Sequence, residues 1–117
     1  MSNIEDLIQK VISWAYDRNI ISGSTYKEQY MKAQSELGEL ADALLKADRD
    51  GMEDAIGDVL VCIINLSEQL DTTLEHCLSR AYDSIKDRKG IMFNGVFVKE
   101  TDENYERILN HLNGEFK

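Results

Sequence analysis

Two pairs of acidic residues stand at spacings that suit shared chemistry. Glu36 and Glu39 are three residues apart in Ser35-Glu36-Leu37-Gly38-Glu39-Leu40, and Asp54 and Asp58 are four apart in Asp54-Ala55-Ile56-Gly57-Asp58-Val59. On a helix each pair projects from one face. Lys32 precedes Glu36 by four and joins the first face, while Asn65 follows Asp58 by seven, two turns on. If the two helices pack antiparallel across their short connection, the stripes face each other and four carboxylates converge. Such a cluster is costly unless cations neutralise it. Oxygen-only donors select a hard cation, and Mg²⁺ commonly binds through a few carboxylates while retaining waters and contacting phosphates. No Glu-x-x-His motif is present, which weighs against a di-iron bundle site.

The elements that must position these residues are helices. Four segments begin with a capping residue followed three positions later by Glu: Ser2/Glu5, Thr25/Glu28, Asp50/Glu53 and Thr72/Glu75. Such boxes satisfy two orphan N–H groups at a helix start and divide the chain into four helices. The first, about 3–17, carries an apolar stripe of Ile4, Leu7, Ile8, Val11, Ile12 and Ala15. After a loop at 19–24, the second, about 26–47, has Tyr30, Ala33, Leu37, Leu40, Ala41 and Leu44 as its expected buried face. The third, about 51–70, is apolar on more than one side through Ala55, Ile56, Val59, Leu60, Ile63, Ile64, Val61, Cys62 and Leu66, so it is central to a bundle or an oligomer. The fourth, about 73–88, uses Leu74, Cys77, Leu78, Ala81 and Ile85, and ends in Lys86, Arg88, Lys89 and Gly90, which suit a helix C-terminus and its cap. Asn94-Gly95 between two β-prone runs, 91–93 and 96–98, predicts a type I′ hairpin, and an amphipathic helix at about 102–113 follows. The fold class is all-α: a four-helix-bundle-like core with a small β-hairpin and a C-terminal helix. With 117 residues, one domain over 1–117 is the expectation.

Composition narrows the function. A net charge of −9 repels nucleic-acid polymers and anionic membranes, so a polyanionic substrate needs metal ions or a local basic patch. Cys62 and Cys77 have neither CxxC spacing nor a nearby His pair and read as buried thiols in a reducing compartment. The N-terminal run carries acids where a signal peptide carries bases, and no apolar run reaches membrane-spanning length; a cytoplasmic protein is expected.

The ordered set Lys32-x3-Glu36-x2-Glu39-Leu40, then Ile56-Gly57-Asp58-Val59-Leu60 with Asn65, resembles the MazG-like nucleoside triphosphate pyrophosphohydrolases, an all-α superfamily that includes the dimeric dUTPases. The likeness extends over about 26–100, through Ile85-Lys86-Asp87-Arg88-Lys89-Gly90 and the Asn94-Gly95 hairpin to Val98-Lys99-Glu100, as in single-domain phage and bacterial members. The family pattern is ExxE on one helix and ExxD on the next. Glu36, Glu39 and Asp58 match it; the remaining carboxylate would fall at Ala55, and Asp54 lies one residue earlier, about 100° around the helix.

The resemblance implies Mg²⁺, with Mn²⁺ as a substitute, held by Glu36, Glu39, Asp58 and Asp54, and hydrolysis at the α-phosphorus to a monophosphate and pyrophosphate. Glu39 or Glu36 would be the base, Lys86, Arg88 and Lys89 would meet the phosphates, Lys32 would touch a phosphate or pair with Glu36, and Trp14 or Tyr26 would stack on the base. Family members are oligomers, so a homodimer or homotetramer is implied. Plainer readings stand beside these. ExxE is commonly a solvated face, and Asp54 can be a first-turn acid favoured by the helix dipole. Asn65 can be a buried amide satisfied locally, and Lys86, Arg88 and Lys89 can simply complement a helix end. A non-catalytic acidic interaction protein, or a dUTPase-like or modified-nucleotide hydrolase on the same fold, are the rival functions. What favours chemistry is Asp58 inside a strongly apolar helix, where an unpartnered carboxylate is expensive.

Overall fold

Asn3, in an extended conformation, accepts the Asp6 N–H at 2.8 Å and starts the first helix, α1 (Ile4–Asp17), in the computed structural model, which describes residues 3–114. Ser2, expected as that cap, lies outside the described residues. The other elements are α2 (Ile20–Gly23), α3 (Tyr26–Leu45), α4 (Arg49–Gln69), α5 (Leu74–Ile85), β1 (Gly90–Phe93), β2 (Val96–Lys99) and α6 (Tyr105–Leu112). The architecture is all-α with a small antiparallel hairpin and a C-terminal helix, as expected. No helix among the described residues is long and apolar enough to cross a membrane. The chain divides into two compact units, one through Cys77 and one from Leu78.

In the first unit α3 and α4 form the central helical pair, and α1 and α2 pack on α4. Three layers show the register. Gln29 meets Asn65, Glu36 meets Asp58, and a Cβ on Gly51 would lie 3.2 Å from Ala43 Cβ. The steps are seven residues forward on α3 (29, 36, 43) and seven back on α4 (65, 58, 51), the heptad spacing of an antiparallel helical hairpin. Small residues at Ala33, Ala43 and Ala55, all buried, permit the close approach.

This register corrects the expected buried face. The stripe of α3 that meets α4 is Gln29, Ala33, Glu36 and Ala43, whereas Tyr30, Leu37 and Leu44 are 55%, 45% and 58% exposed. On α4, Ile56 is likewise exposed. The physical reason is that α3 and α4 pair through small and polar side chains, which leaves the bulky apolar stripe facing outward.

The helix boundaries differ in detail. Thr25 and Glu28 form the expected capping box. The cap of α4 is Asp48, accepting Gly51 N–H at 3.1 Å; Asp50 falls within the first turn and Glu53 pairs with Arg49 at 3.8 Å. Thr73, not Thr72, accepts His76 N–H at 3.0 Å at the start of α5. The segment 19–24, read as loop, contains the short α2. Helices α3 and α4 each end in a Schellman motif: Asp48 N–H donates to Ala43 O at 2.9 Å past a left-handed Ala47 (φ 54), and Thr72 N–H to Ser67 O at 3.0 Å past a left-handed Asp71 (φ 55). Cys62 is buried as expected, but Cys77 is exposed.

In the second unit β1 and β2 pair antiparallel across Asn94-Gly95, whose positive φ values of 51 and 78 are those a type I′ turn requires. Phe93 packs edge-on to His111 of α6 with ring centroids 6.2 Å apart.

Candidate active site

The central layer of the α3–α4 pair holds the acidic cluster. One carboxylate oxygen from each of Glu36, Glu39 and Asp58 lies within 4.8 Å of the other two. Glu36 is buried, Asp58 half-buried and Glu39 exposed, so the cluster grades from interior to solvent. Glu36 Oε2 is sealed from solvent, and no hydrogen-bond donor among the described residues reaches it. Lys32 Nζ lies 3.6 Å from Glu36 Oε1, an i,i+4 pair with Lys32 itself well exposed. A single lysine cannot neutralise three carboxylates.

Crowding and burial raise the proton affinity of Glu36 and Asp58. The Glu36 carboxyl is held above its ordinary range first by the neighbouring Glu39 carboxyl and then by burial. Asp58 is raised by burial first, and by the charges of Asp54 and Glu36. The Cys62 thiol, one turn beyond Asp58, is pushed up by burial and then by the Glu36 charge. Two protein-derived responses relieve such a site: retaining a proton or gaining a cation.

Asp54 is exposed and is not one of the three converging carboxylates. It lines a shallow groove of about 250 Å³ together with Glu39, Asp42, Lys46, Asp48 and the buried Ala55. Positions 54 and 55 therefore border the same groove as Glu39, so the one-residue displacement keeps a carboxylate on that groove.

Asn65 sits two turns from Asp58, 3% exposed, and its Nδ2 donates to Gln29 Oε1 at 3.5 Å. Gln29 Nε2 donates in turn to Ser24 Oγ at 3.0 Å, and Gln69 Nε2 to Ser24 O at 2.9 Å, tying the start of α3 to the end of α4. Sequence reasoning missed Gln29. Its seven-residue distance from Glu36, mirrored by Asn65 and Asp58, was the available signal.

Trp14 is 44% exposed, with the Arg18 guanidinium 5.8 Å from its ring centroid. Tyr26 is exposed at the first position of α3. Lys86, Arg88 and Lys89 belong to the second unit, and Lys86 pairs with Asp83 at 3.4 Å.

Residues 25–93 match the family described as MazG nucleotide pyrophosphohydrolase domain. The chain is also similar to a protein of Haemophilus phage HP1 (strain HP1c1) described as an uncharacterized 18.2 kDa protein in the rep-hol intergenic region. The two are 36% identical over 77 residues, 64% of this chain and 47% of the phage protein. The chain spans about half the length of that curated relative. No solved structure matches it.

Proposed function

The chain belongs to the MazG nucleotide pyrophosphohydrolase family, and from that premise we propose that it is a Mg²⁺-dependent hydrolase converting nucleoside triphosphates to monophosphates and pyrophosphate. The observation that carries the proposal is the trio Glu36, Glu39 and Asp58, each with a carboxylate oxygen within 4.8 Å of the others, while Glu36 Oε2 is buried with no donor among the described residues. These residues fit a hard divalent cation, because the donors are all oxygens and Lys32 offsets only part of their charge. Glu36, Glu39 and Asp58 would hold the ion, with Asp54 at the groove they border. When bound, the ion supplies charge that offsets and polarises the substrate phosphates.

The chain's own residues do the rest. Glu36 or Glu39, whichever is not fully engaged by the ion, is proposed as the base that takes water's proton, and Glu39 is the more exposed of the two. Water oxygen bonds to the α-phosphorus, the α–β anhydride breaks, and the bridging oxygen leaves with pyrophosphate. Arg88 and Lys89, with Lys86 where Asp83 releases it, are proposed to neutralise that leaving group. Asn65 is proposed to act from behind the carboxylates by fixing the α3–α4 register, rather than by touching substrate.

The whole chain is proposed to serve as one MazG-like domain, working in the cytoplasm as a homodimer or homotetramer. The outward apolar residues of α3 and α4 support assembly, since Leu37, Leu44, Leu45 and Ile56 are each at least 45% exposed in the single chain.

Incubation with Mg²⁺ and a panel of standard, deoxy and modified nucleoside triphosphates, resolving pyrophosphate from orthophosphate, tests the reaction. Pyrophosphate and monophosphate are expected, abolished by EDTA and by Glu39→Ala. Orthophosphate instead, or no product from any triphosphate, would overturn the proposal and favour an acidic interaction module.

A further inference from the structure

Alternation along the two strands puts Gly90, Met92, Phe97 and Lys99 on one face of the hairpin and Ile91, Phe93, Val96 and Val98 on the other. The second face supports the fold, through Phe93 against His111. The first face is open: Phe97 is 41% and Met92 62% exposed. A cavity of about 610 Å³ is lined by Arg88, Lys89, Phe97, Lys99, Glu100 and Thr101, all in the second unit.

Gly90 determines how the aromatic ring lies. A Cβ there would come 2.5 Å from Phe97 Cζ and 2.6 Å from Cε2, so the ring rests against a bare Cα and is pinned on its inner side. A pinned ring with its outer side exposed has little rotamer freedom left to lose on stacking. Trp14 differs, because Arg18 already engages it.

Three cations, Arg88, Lys89 and Lys99, line the same cavity as this ring. Among the described residues no carboxylate lies within ion-pairing distance of Arg88, Lys89 or Lys99. Glu100 lines the cavity, and its N–H is tied to Lys89 O at 3.0 Å; its carboxylate offers the acceptor that a sugar hydroxyl or base amine needs. The charge division along the chain matters as well. Residues 1–77 contain six Lys/Arg against fifteen Asp/Glu, carrying the whole net charge of −9, whereas 78–117 balance seven against seven. A polyanion bound in this cavity is therefore met by its local cations rather than by a net positive field.

We propose that this hairpin face binds the nucleoside triphosphate, with Lys99 joining Arg88 and Lys89 on the phosphates and Phe97 stacking on the base. The inference rests on the nucleotide-hydrolase reading above and adds to it a base platform and a third phosphate-binding cation. Because any base offers a ring face, the platform confers affinity for a nucleotide over bare polyphosphate without selecting one base.

Calorimetric titration of the full chain in EDTA, with α,β-methylene-dATP and with inorganic tripolyphosphate, isolates binding from turnover. Phe97→Leu is expected to weaken the nucleotide by about fivefold or more, as loss of a stacking contact does, and to leave tripolyphosphate unchanged. Lys99→Gln is expected to weaken both by about tenfold, as loss of a charge-assisted phosphate contact does. Phe97→Tyr, which keeps a ring, is expected to bind both like the native chain, so the assignment stays falsifiable should Phe97→Leu disturb the hairpin. A Phe97→Leu variant that binds both probes as the native chain does, or loses both equally, overturns the platform. Undiminished binding by Lys99→Gln overturns the third cation, and tighter binding of a single-stranded oligonucleotide than of the mononucleotide overturns the ligand class. Absence of pyrophosphate release with these binding differences intact would refute only the catalytic reading, whereas release without them would refute only this site.

Discussion

Glu36 concentrates the energetics of the site. Its folded pKa lies above the ordinary 4.5, through Glu39 first and burial second, and that of Asp58 lies above 3.8 through burial first. A carboxyl that holds its proton more tightly in the fold than in the unfolded chain stabilises the fold below the ordinary value, and that contribution is lost as pH rises through the raised value. Melting of the metal-free protein is therefore expected to move to higher temperature on acidification from pH 7.5 towards 5. Glu36→Gln, neutral throughout, should melt higher than the native chain at pH 7.5 and show a shallower pH dependence; identical slopes would contradict the account. Asn65→Ala, which leaves buried Gln29 Oε1 without its donor, is expected to cost about 1–3 kcal/mol in urea denaturation. Glu36, Glu39 and Asp58 were legible in the sequence because their spacing is helical and Asp58 sits among apolar neighbours. Gln29 was not, because a glutamine within an acidic helix reads as solvated surface until its partner is known. Nor do Phe97 and Lys99 declare themselves before pairing sets Gly90 opposite Lys99 and diagonal to Phe97.

At the scale of elements, the heptad pairing of α3 with α4 places the cluster, and the turn between them holds the pairing in register. That turn strains Ala47, whose φ of 54 lies in the left-handed region that disfavours a Cβ. Ala47→Gly is expected to stabilise the protein by about 0.5–1 kcal/mol in urea denaturation; a loss of stability would show that the turn is not under this strain. The same residue explains why the end of α3 was hard to read, since no glycine marks it. Starts were displaced for a related reason: Asp48 and Asp50, and Thr72 and Thr73, offer two competent caps within two residues, and the choice between them depends on where the packed helix must begin. The hairpin was legible because Asn-Gly carries its own conformational preference.

For the whole molecule, the apolar periodicity of α3 and α4 was visible, but what covers it was not. Pairing through Ala33, Ala43 and Ala55 turns Leu37, Leu44 and Ile56 outward, and α1 leaves Ile4 and Leu7 at the edge of an apolar groove with Leu60. Light scattering is expected to give a dimer or tetramer mass; a monomer at micromolar concentration would contradict the assembly proposal. Leu7→Lys sharpens the test. On a lone chain an exposed site of this kind costs within about 0.5 kcal/mol, whereas at a buried subunit contact the cation should shift the mass towards monomer.

The central claim is that Glu36, Glu39 and Asp58 share one divalent cation, and Mn²⁺ titration followed by electron paramagnetic resonance addresses it without relying on turnover. The account predicts a saturable site that Mg²⁺ displaces, and that Glu36→Gln and Asp58→Asn each weaken while remaining folded by circular dichroism. Mn²⁺ binding unchanged in both variants, or no binding beyond that of scattered surface carboxylates, would contradict it.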